Sequence, residues 1–153
     1  MLQAEFRGIA GFGKAHETQG IRDWGTVAVD DIAAAVRHVR ETGMVGDRAC
    51  LYGERFGAFL AIKSAQVHPA LYDCAVAVGG VFEPGEMVDA ISLPWHYDSE
   101  DYAEAMKADK TRMATLDVLE QSTSVPVLLM HGGGTIDPSL RATGSLRGLE
   151  PSG

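Results

Sequence analysis

The sequence has few cysteines, no long apolar run and no excess of positive charge, and each deficit excludes a class of protein. Only Cys50 and Cys74 occur among 153 residues, which is too few for a disulfide-rich scaffold. No apolar stretch approaches the roughly 20 residues that cross a bilayer. Thirteen Lys and Arg stand against 21 Asp and Glu, a net charge of -8. That balance argues against nucleic-acid and anionic-membrane partners.

The beginning of the chain bears on where the protein works. The first residues, MLQAEFRG, lack the basic and then apolar layout of a secretory signal peptide. We therefore expect a cytoplasmic protein. In a reducing compartment, the two cysteines are expected to be buried thiols rather than a structural disulfide.

The composition is that of one ordinary globular domain, with 46% hydrophobic and 22% charged residues. Apolar runs alternate along the chain with segments of helical periodicity. Helices are predicted over residues 26–42, which Gly43 would end, and over 56–67, which Pro69 would close. Strands are predicted over residues 2–6, 48–52, 72–78 and 125–130. This alternation indicates an α/β layered sheet with right-handed crossovers.

The remaining segments are predicted to be less regular. Residues 7–25 contain five glycines and are expected to form a loop or broken structure. Residues 81–124 are more polar and are expected to form surface loops and short helices. Residues 139–153 follow neither period and are expected to be a poorly ordered tail. By contrast, residues 72–78, YDCAVAV, are typical of a strand buried on both faces of a parallel sheet.

Two glycine-rich segments match known functional motifs only in part. Residues 8–15 nearly fit the phosphate loop G-x-x-x-x-G-K-[ST], but Ala15 has no hydroxyl for Mg²⁺. Gly20 and Gly25 would also interrupt the helix that should follow, so nucleotide binding at Gly8–Lys14 is a lesser alternative. Residues 131–134, HGGG, resemble a lipase oxyanion loop, which must precede its nucleophile in the chain. Too few residues follow them, and we interpret them as a turn at a strand end.

A third glycine-bearing segment has the layout of a nucleophile elbow, G-x-S-x-G, between a strand and a helix. It is Gly53-Glu54-Arg55-Phe56-Gly57. The tight turn leaves no room for Cβ atoms two residues either side of the nucleophile, where Gly53 and Gly57 stand. The middle residue is Arg55 instead of serine. Arginine cannot attack a carbonyl, because its guanidinium stays protonated.

The sequence resembles the catalytic domain of the prolyl oligopeptidase family, the S9 serine peptidases, through several blocks in the expected order. They are FRGIAGFGKA, DWG, DDIAAAV, GDRACLYGERFGAFLAIKSA, HPALYDCAVAVGGV and VPVLLMHG. The resemblance covers residues 1–138. It implies a three-layer α/β-hydrolase-like fold with a mostly parallel sheet, here incomplete at both ends and without a β-propeller. The family reaction is hydrolysis of peptide or acyl bonds by a Ser-Asp-His triad, without a cofactor or metal.

The resemblance also places the family's catalytic groups on this chain. The nucleophile falls on Arg55, and the backbone N–H of Phe56 falls where an oxyanion donor would be. A second donor, a tyrosine upstream of FRG, has no counterpart here. In the pattern H-G-x-x-D the acid position holds Thr135, which Asp137 could replace. The base histidine should follow the acid, but all five histidines precede Asp137, so it is absent.

These substitutions predict a chain without serine-hydrolase turnover, because loss of the nucleophile alone costs about 10⁶ in kcat in a well-studied serine protease. Two other functions stay open. One is a non-enzymatic peptide-binding or assembly module on the same fold. The other is a hydrolase with a different nucleophile, such as Ser64 or Ser92. A peptide or acyl substrate is the expected small partner.

Further expectations follow for the sheet and its surroundings. Open sheet edges would favour self-association. Cys50 and Cys74 would lie on neighbouring strands of this fold, so the sequence does not exclude a disulfide between them. Asp30 and Asp31 imitate a metal-binding pair, but carboxylates in the first turns of a helix favour its dipole, so we expect no metal there. Glu54 and Arg55 could form a local ion pair.

Overall fold

A computed structural model describes residues 1–22, 25–80, 82, 118 and 121–130. The predictions for most of 81–124, for His131, Asp137 and Ser92, and for the tail after residue 138 lie outside these residues. In chain order the elements are helix α1 (Lys14–Arg22), helix α2 (Val27–Glu41), strand β1 (Cys50–Glu54), helix α3 (Phe56–Val67), strand β2 (Cys74–Val78) and strand β3 (Val127–Met130). A single 3-10 turn, Pro69–Leu71, follows α3.

The three strands form one parallel sheet in the order β1-β2-β3. Its register pairs Tyr52 with Val76 and Val76 with Leu128. Helix α3 packs against β1 and β2, and α2 packs against α3. The predicted α/β sheet is therefore confirmed. Among the described segments, no helix combines the length and apolar character needed to cross a membrane.

Both predicted helices form where the sequence placed them. Helix α2 runs from Val27 to Glu41, and Thr42 is its C-cap. Gly43 then takes φ +69°, which glycine adopts at low cost, and its N–H donates to the Arg40 carbonyl at 2.9 Å. Helix α3 begins at Phe56 and ends at Val67, as predicted. Its residues are apolar on nearly all sides, which is typical of a helix enclosed in a core.

Apolar side chains of α2, α3 and the covered sheet face make the main core. Its fully enclosed members include Phe59 and Ile62 of α3 and Val29 of α2. Phe82 and Val118, which come from the connection between β2 and β3, pack in the same cluster. A second cluster joins Ala65, Tyr72, Ala75 and Val125. Both clusters lie on the α3 side of the sheet.

The other sheet face has no cover among the described residues. Tyr52, Leu128 and Met130 are 65%, 56% and 51% exposed. Along β2, burial alternates: Ala75 and Ala77 are buried, whereas their neighbours in the strand are half-buried. The prediction that residues 72–78 are buried on both faces is therefore wrong for the described part, because α2 and α3 cover a single face.

The strands begin two residues later than predicted, and no strand forms at residues 2–6. Before β3, Pro126 has no N–H for the ladder, although its carbonyl accepts from the Ala75 N–H at 2.9 Å. Before β1 and β2, the Ala49 N–H donates to the Asp73 carboxylate at 2.8 Å instead of to a backbone carbonyl, although the Asp73 N–H still donates to the Ala49 carbonyl at 2.8 Å. Regular pairing starts after these residues.

Helix α1 lies in the segment that was expected to be a loop or broken structure, so that expectation is wrong for residues 14–22. Gly20 lies within the helix instead of interrupting it. A Cβ there would come 2.2 Å from the Gly8 Cα. The absence of a side chain at Gly20 therefore allows α1 to approach the preceding loop closely, a tertiary contact that glycine content alone does not reveal.

The cysteines are joined in a disulfide, Cys50–Cys74. The expectation of two buried free thiols is wrong, since Cys50 is exposed and Cys74 is half-buried. The reason is the strand register, which places the two residues directly opposite each other on β1 and β2. Their Cα atoms are 4.6 Å apart, within the range that a disulfide spans.

Candidate active site

The turn between β1 and α3 is a single residue, Arg55, in a conformation that few side chains adopt. Its φ is 53° and its ψ is -115°. It is the one non-glycine residue with a positive φ in the described part of the chain. Its N–H donates to the Val78 carbonyl at 3.0 Å, and its own carbonyl accepts from the Ala58 N–H at 3.1 Å. The strand–turn–helix layout that the glycine motif predicted is therefore present, with strain at its middle residue.

The motif's two glycines differ in what they permit. A Cβ on Gly53 would lie 1.9 Å from the Gly57 carbonyl oxygen, so this position excludes any side chain. At Gly57, an added Cβ would meet no described atom within 4 Å. The steric prediction is thus confirmed for Gly53, which faces the helix backbone across the turn, and it stays a prediction for Gly57.

A further glycine supports the turn without having been noticed in the sequence. A Cβ on Gly80 would lie 2.7 Å from the Ala58 Cβ and 2.6 Å from the Phe82 ring. Gly80 therefore lets the chain after β2 pass close to the first turn of α3. The pair Gly79-Gly80 after an apolar strand was the available signal.

Phe56 is the first residue of α3, so its N–H belongs to the helix's first turn, at the positive end of the dipole. Its half-buried ring stacks on Phe59 at 5.8 Å between centroids and meets the Phe6 ring edge-on at 6.3 Å. These contacts attach the N-terminal segment to the turn. The oxyanion role of the Phe56 N–H stays a prediction.

Two polar side chains near the carboxyl end of β1 contact each other. The Tyr52 hydroxyl donates to the Glu54 carboxylate, and this hydrogen bond raises the pKa of Tyr52. Arg55 is exposed, and within the described residues it forms no ion pair with Glu54. The suggested Glu54–Arg55 pair is therefore not formed. The guanidinium is left at the sheet end where open α/β sheets bind ligands.

The acidic pair on α2 contacts two different partners. The Asp31 carboxylate receives the Arg7 Nε at 2.8 Å, the Arg7 Nη2 at 2.5 Å and the Arg7 backbone N–H at 2.9 Å. The Arg7 side-chain hydrogen bonds hold the pKa of Asp31 below its usual value. Asp30 instead lies 3.3 Å from the His68 Nε2. In the described ranges, no three His, Cys, Asp or Glu side chains gather where they could hold a metal ion.

The other candidates differ in accessibility. Ser64 is fully buried in α3, which removes it as a nucleophile for an external substrate. The Gly8–Lys14 segment is followed by α1 but is not preceded by a strand. The Gly13 carbonyl accepts from the His16 and Glu17 N–H groups, so α1 begins directly at the loop. Asp137, the doubtful acid, lies outside the described residues, as does Ser92.

Comparison with known proteins gives consistent matches. The model of the prolyl oligopeptidase family matches residues 1–140. Dipeptidyl aminopeptidase BIII of Pseudoxanthomonas mexicana is 23% identical over 147 residues, which cover 92% of this chain and 21% of that protein. Dipeptidyl peptidase family member 6 of Caenorhabditis elegans is 27% identical over 110 residues, which cover 71% of this chain and 15% of that protein.

Solved structures agree on the fold. A mutant puromycin hydrolase complexed with PGG superposes with a TM-score of 0.75 at 22% identity, over 94% of this chain and 22% of that one. The structural neighbours are α/β-hydrolase-fold peptidases, so the fold class predicted from the resemblance is confirmed. This chain spans only about a fifth of the length of these relatives. The family match covers most of its residues, and the chain therefore belongs to the prolyl oligopeptidase family.

Proposed function

We propose that this chain carries the nucleophile-turn part of an S9 peptidase catalytic domain and does not itself hydrolyse peptides. The observation that carries the proposal is Arg55, which lies in the strained turn between β1 and α3 at φ 53°. A guanidinium has no lone pair for attack and cannot lose its proton under ordinary conditions.

The geometry around Arg55 supports its assignment to the nucleophile position. A strained turn after a parallel strand presents its middle residue above the sheet end, in front of a helix N-terminus. Arg55 is exposed there, and Gly53 provides the room the turn needs. Within these 153 residues, all five histidines precede Asp137. The proposal therefore rests on Arg55 at the nucleophile position.

The family suggests the class of substrate that the site would accept. The relatives are named dipeptidyl aminopeptidase, dipeptidyl peptidase and puromycin hydrolase. We infer that any ligand of this site is a short peptide or an acyl compound related to one. We do not propose nucleotide binding at Gly8–Lys14, because Ala15 lacks the hydroxyl and no strand precedes the loop.

A second candidate is a module that binds peptides without cleaving them. The exposed Arg55 cation, which forms no ion pair within the described residues, favours it. Calorimetric titration with short peptides distinguishes the two. Stoichiometric binding with intact peptide recovered afterwards supports the module, and binding should weaken in Arg55→Gln, which removes the charge and keeps a polar but shorter side chain.

Active-site labelling tests the proposed inactivity. A fluorophosphonate probe reacts with the activated serine of a serine hydrolase, so we expect no labelling of the purified chain. An active member of the family, treated in parallel, shows that the probe works. Stoichiometric labelling at one serine, located by peptide mass spectrometry, would overturn the proposal and identify another nucleophile.

A further inference from the structure

The covalent ring closed by Cys50 and Cys74 contains all of α3 and the turn at Arg55. The two cysteines are the first residues of β1 and β2 and are separated by 24 positions in the sequence. At the opposite end of the same strands, the Arg55 N–H donates to the Val78 carbonyl at 3.0 Å. The β1–α3–β2 unit is therefore tied at both ends of its strands, covalently at one of them.

The disulfide faces solvent. Cys50 and Cys74 lie on the sheet face that also carries Tyr52 and Leu128, which no described helix covers. Cys50 is exposed, whereas Cys74 is half-buried. A thiolate can therefore reach the Cys50 sulfur while the sheet stays folded. Thiol–disulfide exchange depends on such access, and exposed disulfides are the labile ones.

We propose that Cys50–Cys74 is an exchangeable disulfide, which accepts small thiols at Cys50 and acts as a redox-controlled lock on the β1–α3–β2 unit. The attacking thiolate forms a bond to the Cys50 sulfur as the Cys50–Cys74 bond breaks. The electron pair leaves on Cys74, which takes up a proton. The second thiol of a dithiol reductant then displaces Cys50, so two cysteines are reduced while the dithiol becomes a disulfide.

The disulfide should help to hold the turn at Arg55 in its strained conformation. A non-glycine residue keeps a positive φ only where its surroundings over-determine it, and the covalent ring is one of those surroundings. The ring also restricts the unfolded chain. Reduction should therefore lower the Tm by about 10 °C for a ring and a chain of this size. It should also speed amide exchange in β1, in β2 and at Arg55.

The test counts thiols and follows stability in the native protein. The chain is first equilibrated with oxidised glutathione and then alkylated without denaturant, and we expect no labelled cysteine. Dithiothreitol, added well below the Tm, should expose two labelled cysteines and lower the Tm by the amount given. Removing the dithiol and adding oxidised glutathione should restore the higher Tm.

A double variant, Cys50→Ser with Cys74→Ser, is the matched control. It should melt near the reduced wild type and respond to neither reagent. If the variant fails to fold, the thiol counts and melting curves of the wild type still decide the question. The lock is refuted by two labelled thiols after the oxidising step, by a disulfide that resists dithiothreitol until the chain is denatured, or by a Tm that reduction does not change.

Discussion

At the scale of single residues, the turn at Arg55 shows what a short motif can and cannot specify. The spacing of Gly53 and Gly57 around Arg55 predicted a sharp strand-to-helix turn, and the backbone has one. The same spacing gave no sign that Gly80 is needed against Ala58. Contacts made within a few residues can be inferred from a motif, whereas a contact across 22 positions depends on the tertiary packing.

The first prediction concerns Gly53. Its added Cβ would lie 1.9 Å from a backbone oxygen, which cannot move without displacing α3. Gly53→Ala should therefore lower the free energy of unfolding by about 3 kcal/mol, measured by denaturant titration. Gly46→Ala, where the added Cβ meets no described atom within 4 Å, is the control and should change stability by no more than about 0.5 kcal/mol. Equal stability of the two variants would contradict the tight turn.

The second prediction concerns the pH dependence of the Arg7–Asp31 pair. The pKa of Asp31 is lower in the folded chain than its usual value of about 3.9, through the Arg7 hydrogen bonds. Its stabilising contribution is therefore complete only above about pH 5 and is lost progressively as the pH falls through the folded pKa. The Tm of the wild type should exceed that of Asp31→Asn at pH 7, and the difference should shrink below about pH 3.5.

Asp30→Asn is the control for that titration, because Asp30 contacts His68, whereas the side-chain hydrogen bonds of Arg7 go to Asp31. A difference between wild type and Asp31→Asn that is the same at pH 7 and at pH 3 would mean that the Asp31 charge contributes nothing. The pair itself was not foreseen, since Arg7 and Asp31 are far apart in sequence and belong to a loop and a helix.

At the scale of elements, helices were predicted better than strands or loops. The bounds of α3 were predicted from an apolar segment that Pro69 closes, because both signals lie within the helix or next to it. The strand starts were displaced, because the Asp73 side chain and Pro126 replace ladder hydrogen bonds that an apolar run alone suggests. Helix α1 was missed because a tertiary contact between Gly8 and Gly20 supports it.

The third prediction tests α3 as the centre of the core. Phe59 is fully buried among α2, α3 and β2, so Phe59→Ala removes a large side chain and leaves a cavity. We expect a loss of about 3–5 kcal/mol in the free energy of unfolding. Val67→Ala on the same helix is the matched control, because Val67 is 48% exposed. It should cost less than about 1 kcal/mol.

At the scale of the whole molecule, one face of the parallel sheet remains uncovered among the described residues. Parallel sheets occur almost only with both faces covered, yet Tyr52, Leu128 and Met130 are more than half exposed. Both outer strands of the described sheet, β1 and β3, also have an unpaired edge there. Open sheet edges were predicted from the sequence. The prediction that β2 is covered on both faces of the sheet was wrong for the described residues.

The fourth prediction is therefore that the chain self-associates. Sedimentation velocity over a hundredfold concentration range should show a mass that rises with concentration, because the described sheet has exposed apolar side chains and edges that no described strand pairs with. Replacing Leu128 and Met130 by glutamine should shift this association to higher concentration without lowering the helix content. A wild type that stays monomeric throughout the range would contradict the expectation.

The central claim is our proposal that Arg55 at the nucleophile turn leaves this chain without hydrolase activity. The most direct measurement is the hydrolysis of an activated acyl ester and a short aminoacyl peptide by the purified chain, beside Arg55→Ser. We expect no turnover above the buffer rate from the native chain. Arg55→Ser should add little, because no histidine follows Asp137 in the 153 residues tested and a serine without a base loses most of its reactivity. Turnover that co-purifies with the native chain would contradict the assignment of Arg55 and show that another residue carries the chemistry.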